Sequence, residues 1–209
     1  MTFALQHLKR LFKLVPPCQL CQIAPQTQHQ VCLDCWNSLP WAQQAVQRHE
    51  LEILTACEYR YPLDRMIQQF KYEQQLHYQQ LLAGTLMQLK LPRVQAIVPM
   101  PISIERLRER GFNQSVVIAQ HVAKQFNIPI WQPIIRMHQH AQKGLSRLER
   151  LENIEQQFQL NAAEKRHFRK VLIIDDVVTT GSSIHALNSA LHEIGCKQVY
   201  AACIAAAQT

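Results

Sequence analysis

The sequence predicts an α/β fold: a parallel sheet with helices on both faces, preceded by a small four-cysteine module. Three observations predict it. Past about residue 50, short apolar runs alternate with amphipathic helical patterns, as βαβ units require. The strand candidates are apolar along most of their length, so their sheet is covered on both sides. Ahead of them stand two CxxC pairs in a stretch too short to bury a core of its own.

The chain has 209 residues and is 47% hydrophobic, which excludes a disordered polymer. Lys and Arg outnumber Asp and Glu by 22 to 15, a net charge of +7 that suits phosphates, nucleic acid or acidic lipids. No run is long and apolar enough to span a bilayer. The first segment, MTFALQHLKRLFKLVPP, carries Leu5, Leu8, Leu11 and Phe12 at helical spacing, but His7, Lys9, Arg10 and Lys13 interrupt it. It reads as an amphipathic docking helix rather than a signal peptide. A cytoplasmic protein is expected, and in that compartment an odd count of seven cysteines argues against a disulfide framework.

CQLCQIAPQTQHQVCLDCW places Cys18, Cys21, Cys32 and Cys35 as two knuckles joined by a loop. Four thiolates complete a tetrahedral shell around Zn²⁺, and the metal would supply most of the module's folding energy. Coincidental buried thiols or a redox pair are the competing readings. His29 reads as a loop residue, and Cys57, Cys196 and Cys203 as small core residues. Trp36 and Trp41 follow, either as a stacking platform for bases or as packing for a tiny module.

The next elements follow in order. Thr55 to Tyr61 reads as a strand. Pro62 opens a helix with Leu63, Met66, Ile67 and Phe70 on one face, and Leu76 to Leu89 continues helically. VQAIVPMP is a short strand stopped by Pro99 and Pro101, and NQSVVIAQHVAKQF a helix. IPIWQPII is a strand made irregular by Pro129 and Pro133. RLERLENIEQQF is helical, VLIID a buried strand, and SSIHALNSALHEIG a helix ended by Gly195. KQVYAACIAA closes as the last strand.

Asp175 and Asp176 fall at the carboxyl end of VLIID, where ligands bind in such sheets, and both are expected to face solvent when no ligand is bound. Thr179, Thr180, Gly181, Ser182 and Ser183 follow, before a helix. Hydroxyls, a glycine turn and a helix N-terminus form a phosphate cradle. The two acids would repel a phosphate, so they address something else: sugar hydroxyls, or Mg²⁺ through its waters. A ribose 5-phosphate satisfies every group. An ordinary capped turn with a solvated acid pair is the bland alternative.

VLIIDDVVTTGSS resembles the phosphoribosyl-pyrophosphate motif of type I phosphoribosyltransferases. VPMPISIERLRERGFNQS and QKGLSRLERLENIEQQF resemble signatures of the ComF family, whose members carry a four-cysteine zinc module before a phosphoribosyltransferase-like domain and are associated with DNA uptake in natural competence. The order matches from Cys18 to the end. The resemblance implies a type I phosphoribosyltransferase-like parallel sheet flanked by helices, with an N-terminal helix and zinc module over 1–49 and the larger domain over 50–209. It implies that Asp175 and Asp176 grip the ribose, as the catalytic residues of an enzyme if there is turnover, and that Thr179, Thr180, Gly181, Ser182 and Ser183 hold its 5-phosphate. Pro99 to Ser103 occupies the pyrophosphate position, where Met100, Pro101 and Ile102 are bulkier than the usual glycine-containing loop. Arg106, Arg108 and Arg110 follow it, and Lys143, Arg147 and Arg150 lie in what resembles a mobile hood. These cations are candidates for pyrophosphate or DNA contact; the alternative is a solvated helix face paired with Glu105, Glu109, Glu149 and Glu152. Three functions are weighed: a competence protein binding single-stranded DNA and a phosphoribosyl pyrophosphate-type ligand with Mg²⁺, with other competence proteins as possible partners; an active phosphoribosyltransferase of nucleotide salvage; or a phosphoribosyl-pyrophosphate-sensing regulator without turnover.

Elemental analysis of freshly purified protein should find one Zn²⁺ per chain. Cys18→Ser should abolish it and unfold only the N-terminal module, since the larger domain has its own core. Metal-free, folded wild-type protein would contradict the reading.

Overall fold

A computed structural model describes residues 15–137 and 158–207. The expected N-terminal helix, the hood helix and the cations Lys143, Arg147 and Arg150 lie outside the described residues. The chain divides into two compact units, Met1–Leu39 and Pro40–Thr209.

In the first unit a short helix, α1 (Leu33–Asn37), carries Cys35 of the second knuckle, with the Cys32 sulfur accepting at its start from the Cys35 N–H. Trp36 is buried and stacks on His29 at 4.6 Å, so it is not a free platform for a base.

The second unit begins with a hairpin, β1 (Trp41–Arg48) and β2 (Leu51–Glu58). Helix α2 (Leu63–Tyr72), one 3₁₀ turn (Leu76–Tyr78) and α3 (Gln79–Leu86) lead to β3 (Ala96–Pro99). Helices α4 (Ile104–Arg110) and α5 (Gln114–Phe126) follow, then the short strands β4 (Ile134–Arg136) and β5 (Phe158–Leu160). The chain closes with β6 (Lys170–Val178), α6 (Ser182–Glu193) and β7 (Gln198–Ala206).

The main sheet has the order β1-β2-β7-β6-β3. Its parallel pairs are β2 with β7, β7 with β6 and β6 with β3. The edge strand β1 is antiparallel, which the sequence did not predict. Its glutamines carry no apolar run, and it is a strand only because a two-residue turn folds it back on β2. The units therefore divide at 39/40, where the sequence suggested 49/50. β4 and β5 pair apart from the main sheet. The IPIWQPII segment is divided between them and β3: Ile130 bridges to Ile97, and the strand proper resumes only after Pro133.

Alternation along β6 builds two cores. Val171 and Ile173 join Leu187 and Leu191 of α6, with Val98 and Trp131, on one face. Leu172 and Ile174 point the other way, toward the side where α5 packs on β3 and β6. Burying Leu172 or Ile173 is worth roughly 1.5–3 kcal/mol each.

The two central strands end at different heights. β3 stops at Pro99, opposite Ile174, whereas β6 stays paired with β7 to Val178 opposite Ala206. Asp175 is thus still inside a ladder on its β7 side but beyond the end of β3. That step opens the crevice. Replacing Trp131, buried in this core with its indole N–H donating to the Arg166 carbonyl at 3.0 Å, by alanine should cost about 3–5 kcal/mol in denaturant unfolding. A loss under 1 kcal/mol would show that the segment beside β3 is not part of the cooperative core.

Candidate functional site

The four cysteine sulfurs lie within 4.8 Å of one another, with Cys21 and Cys32 at 3.8 Å. A tetrahedron with Zn–S bonds of about 2.3 Å has edges of about 3.8 Å, so the donor set fits that ion. The Leu20 N–H donates to the Cys18 sulfur at 3.4 Å. Burial opposes the Cys18 thiolate, but N–H groups of Cys32, Cys21 and Leu20 outweigh it and hold the thiol at about 6. A metal ligand must be deprotonated, and this one is prepared for it.

The two acids of β6 differ. Asp176 is only 3% exposed and forms an ion pair with Lys71, near the end of α2. The expectation that both acids face solvent is corrected here: a strand turns neighbouring side chains in different directions, and Asp176 turns into the protein. Burial works against the Lys71 ammonium, yet the Asp176 carboxylate and then Asp175 outweigh it and raise its pKa. Asp175 lines the crevice. Its Oδ1 accepts from the Ser115 hydroxyl and from the Asp176 N–H, both at 2.9 Å. Burial, and after it the Asp176 carboxylate, push the Asp175 carboxyl up to about 7.

Ser115 is delivered by the start of α5. Asn113 caps that helix, accepting from the N–H groups of Ser115 and Val116 and donating to the Met100 carbonyl at 3.0 Å. Asn113 therefore ties the bulky Pro99–Ser103 loop to the helix that positions Asp175.

A cavity of about 380 Å³ opens over Asp175 and Asp176. Lys71, Arg106, Arg110 and Arg136 line it too. Of the sequence candidates, Arg106 and Arg110 are brought to the acids, whereas Arg108 lines an apolar groove alongside. Arg110 is held by the Gln114 side chain and lies over the Tyr72 ring at 5.1 Å. The sequence missed Lys71 and Arg136. Lys71 ends a helix recognised only for its apolar face, and Arg136 comes from a three-residue strand. Burial, and then the Arg106 guanidinium, work against the Arg136 charge, while Asp175 supports it.

Beside this cavity, Thr179–Ser183 curl around a smaller one of about 70 Å³ that also touches Asp175. Gly181, at φ 81°, sits at the start of α6, and its neighbour Ser182 stands 3.0 Å from Thr180, hydroxyl to hydroxyl. An anion would meet the positive end of the helix there. The Thr179–Ser183 turn, Asp175 and the cations Arg106, Arg110 and Arg136 therefore follow one another in that order.

Residues 113–209 match the Phosphoribosyl transferase domain family. The chain is 31% identical over 206 residues to competence protein F of Haemophilus influenzae, covering 91% of this chain and 85% of that one. It belongs to the ComF family. Other relatives are competence protein ComFC of Bacillus subtilis, 28% identical over 85% of this chain and 72% of that one, and DNA utilization protein YhgH of Escherichia coli K12, 27% identical over 90% and 88%. In this ComF-family chain the matched region holds both the acids and the cradle, while Lys71 lies before it.

The two acids should respond oppositely to neutralisation. Asp176→Asn leaves Lys71 charged and buried without its partner, which should cost about 3–5 kcal/mol. Asp175 has a folded pKa of about 7, above its ordinary 3.8. The stability it contributes is complete below pH 3.8 and is lost as pH rises through about 7. Asp175→Asn should escape that loss, so its melting temperature relative to wild type should climb from about pH 4 to about pH 7 and then level. Equal pH profiles for Asp175→Asn and wild type would contradict the assignment.

Proposed function

We propose that this ComF-family protein binds a phosphoribosyl pyrophosphate-type ligand together with Mg²⁺, and binds single-stranded DNA, in natural competence. The observation that carries the reading is a pair of adjoining cavities, sharing Asp175 and Ser183, in which a cradle for one phosphate, a carboxylate and the cations Arg106, Arg110 and Arg136 follow in sequence. Ribose 5-phosphate bearing a pyrophosphate has that same order of groups. The Thr179–Ser183 loop takes the 5-phosphate and Asp175 accepts from the ribose hydroxyls. Arg106, Arg110 and Arg136 face the pyrophosphate. The Arg106 guanidinium works against the Arg136 charge, a cost that an anion beside them would offset. Mg²⁺ would be held by the ligand's phosphates and, through water, by the acids; when bound it neutralises the pyrophosphate. Asp176, locked to Lys71, acts by holding that lysine and the strand end in place.

The DNA reading rests on the net charge of +7, on the cations around the crevice, and on relatives whose names refer to competence and DNA utilization. Zn²⁺ is the metal we assign to the four cysteines, as a structural ion. The seven free thiols, four of them poised as ligands, support a reducing cytoplasm as the location. The second reading, an active phosphoribosyltransferase, is favoured by the intact acid pair and cradle. Release of pyrophosphate on adding one nucleobase from a panel would establish it.

In calorimetry, Mg²⁺–phosphoribosyl pyrophosphate should bind wild type and lose roughly tenfold or more in affinity with Asp175→Asn, since a hydrogen bond to a charged group is worth about 1.5–3 kcal/mol. For DNA, Arg110→Gln should weaken single-strand binding regardless of sequence and reduce the logarithmic salt slope by about 0.7 per lost phosphate contact. Unchanged ligand affinity in Asp175→Asn would defeat the first claim. No single-strand binding at low salt by folded, metal-loaded protein would defeat the second.

A further inference from the structure

The tip of the β1–β2 hairpin leans on the cradle, although it stands more than a hundred residues away in sequence. Arg48 donates through Nε to the Thr179 carbonyl at 2.8 Å and through Nη2 to the Ala207 carbonyl at 3.3 Å. His49 places Nε2 3.4 Å from the Ser182 hydroxyl, and its ring stacks on His185 at 5.0 Å. The approach is tight: a Cβ on Gly181 would come within 2.6 Å of the Arg48 Cβ. Glycine is required at 181 by this neighbour as well as by its φ of 81°. His49 itself adopts φ 53° in a two-residue turn, at a position where hairpins usually carry glycine or asparagine. A strained residue with a functional side chain, held against a ligand loop, is the pattern expected where strain serves the site.

We propose that Arg48 and His49 are part of the phosphate site, with Arg48 as a positioning residue and His49 fixing the polarity of Ser182 toward a phosphomonoester. The proposal rests on the phosphate reading of the cradle given above. In a trans peptide the carbonyl and the next N–H point opposite ways. By holding the Thr179 carbonyl, Arg48 therefore turns the Thr180 N–H to the side away from the hairpin. Ser182 has one hydroxyl proton. When the His49 Nε2–H donates to its oxygen, that proton points elsewhere: to the Thr180 hydroxyl, 3.0 Å away, or to a phosphate oxygen when one is bound. Arg48 adds a positive charge behind the loop. The ligand is a phosphomonoester, from either a sugar 5-phosphate or the 5′-phosphorylated end of a DNA strand.

The test is calorimetric titration of the full-length, metal-loaded protein with ribose 5-phosphate, and with an oligonucleotide bearing or lacking a 5′-phosphate. His49→Phe keeps a ring to stack on His185 but removes the donor, and should weaken phosphomonoester binding roughly tenfold. His49→Gln, whose amide nitrogen replaces Nε2, should stay within about threefold of wild type. Arg48→Met should lose at least about tenfold, and melting of the ligand-free variant shows whether it stays folded; if it does not, the two His49 variants decide. Whichever phosphomonoester shows this ordering is the source of the phosphate. His49→Phe binding like wild type, or His49→Gln falling as far as His49→Phe, overturns the proposal and leaves the phosphate reading standing. No binding of any phosphomonoester to wild type overturns both.

Discussion

Two carboxylates next to each other at the end of a buried strand cannot both stay charged without help, and the larger unit is organised around that constraint. Like charges this close, with little water between them, favour protonation of one. The fold treats them unequally. Asp176 receives a full positive charge from Lys71, carried on a helix that precedes β3 in the chain. Asp175 accepts from a hydroxyl and a peptide N–H and has no direct ion pair among the described residues, and its carboxyl is raised to about 7. Under the proposed function, a ligand that brings hydroxyl donors and Mg²⁺ would offset this electrostatic cost at Asp175.

The surroundings follow from where the strands stop. Because β3 ends at Pro99, the loop after it folds across the top of the sheet, and Asn113 ties that loop to α5. The same short strand lets Arg106, Arg110 and Arg136 approach from one side while the Thr179–Ser183 cradle closes the other. The bulky Met100 is largely buried and its N–H donates to the Ile174 carbonyl, so it caps the sheet end while forming part of the cavity wall.

What the sequence shows directly is whatever is encoded locally. The cysteine knuckles, the VLIID strand and helices α5 and α6 are each written in adjacent residues, and each is found where it is expected. The failures are contacts across the chain. β1 exists because β2 pairs with it, and its own glutamines give no sign of a strand. Lys71, Arg136 and the Arg48–His49 tip reach the site through tertiary packing, from segments whose local pattern speaks only of helix face or turn. The misjudged exposure of Asp176 has the same origin: periodicity places it at a strand end, but only the position of Lys71 shows that it is covered.

Affinity for two sugars that differ by one hydroxyl tests the central claim most directly. If Asp175 accepts from the ribose hydroxyls while Thr179–Ser183 hold the phosphate, ribose 5-phosphate should bind about tenfold more tightly than 2-deoxyribose 5-phosphate, the cost of one hydrogen bond to a charged acceptor. Equal affinity for the two would mean that the acid does not read the sugar, and that the crevice is an anion site alone.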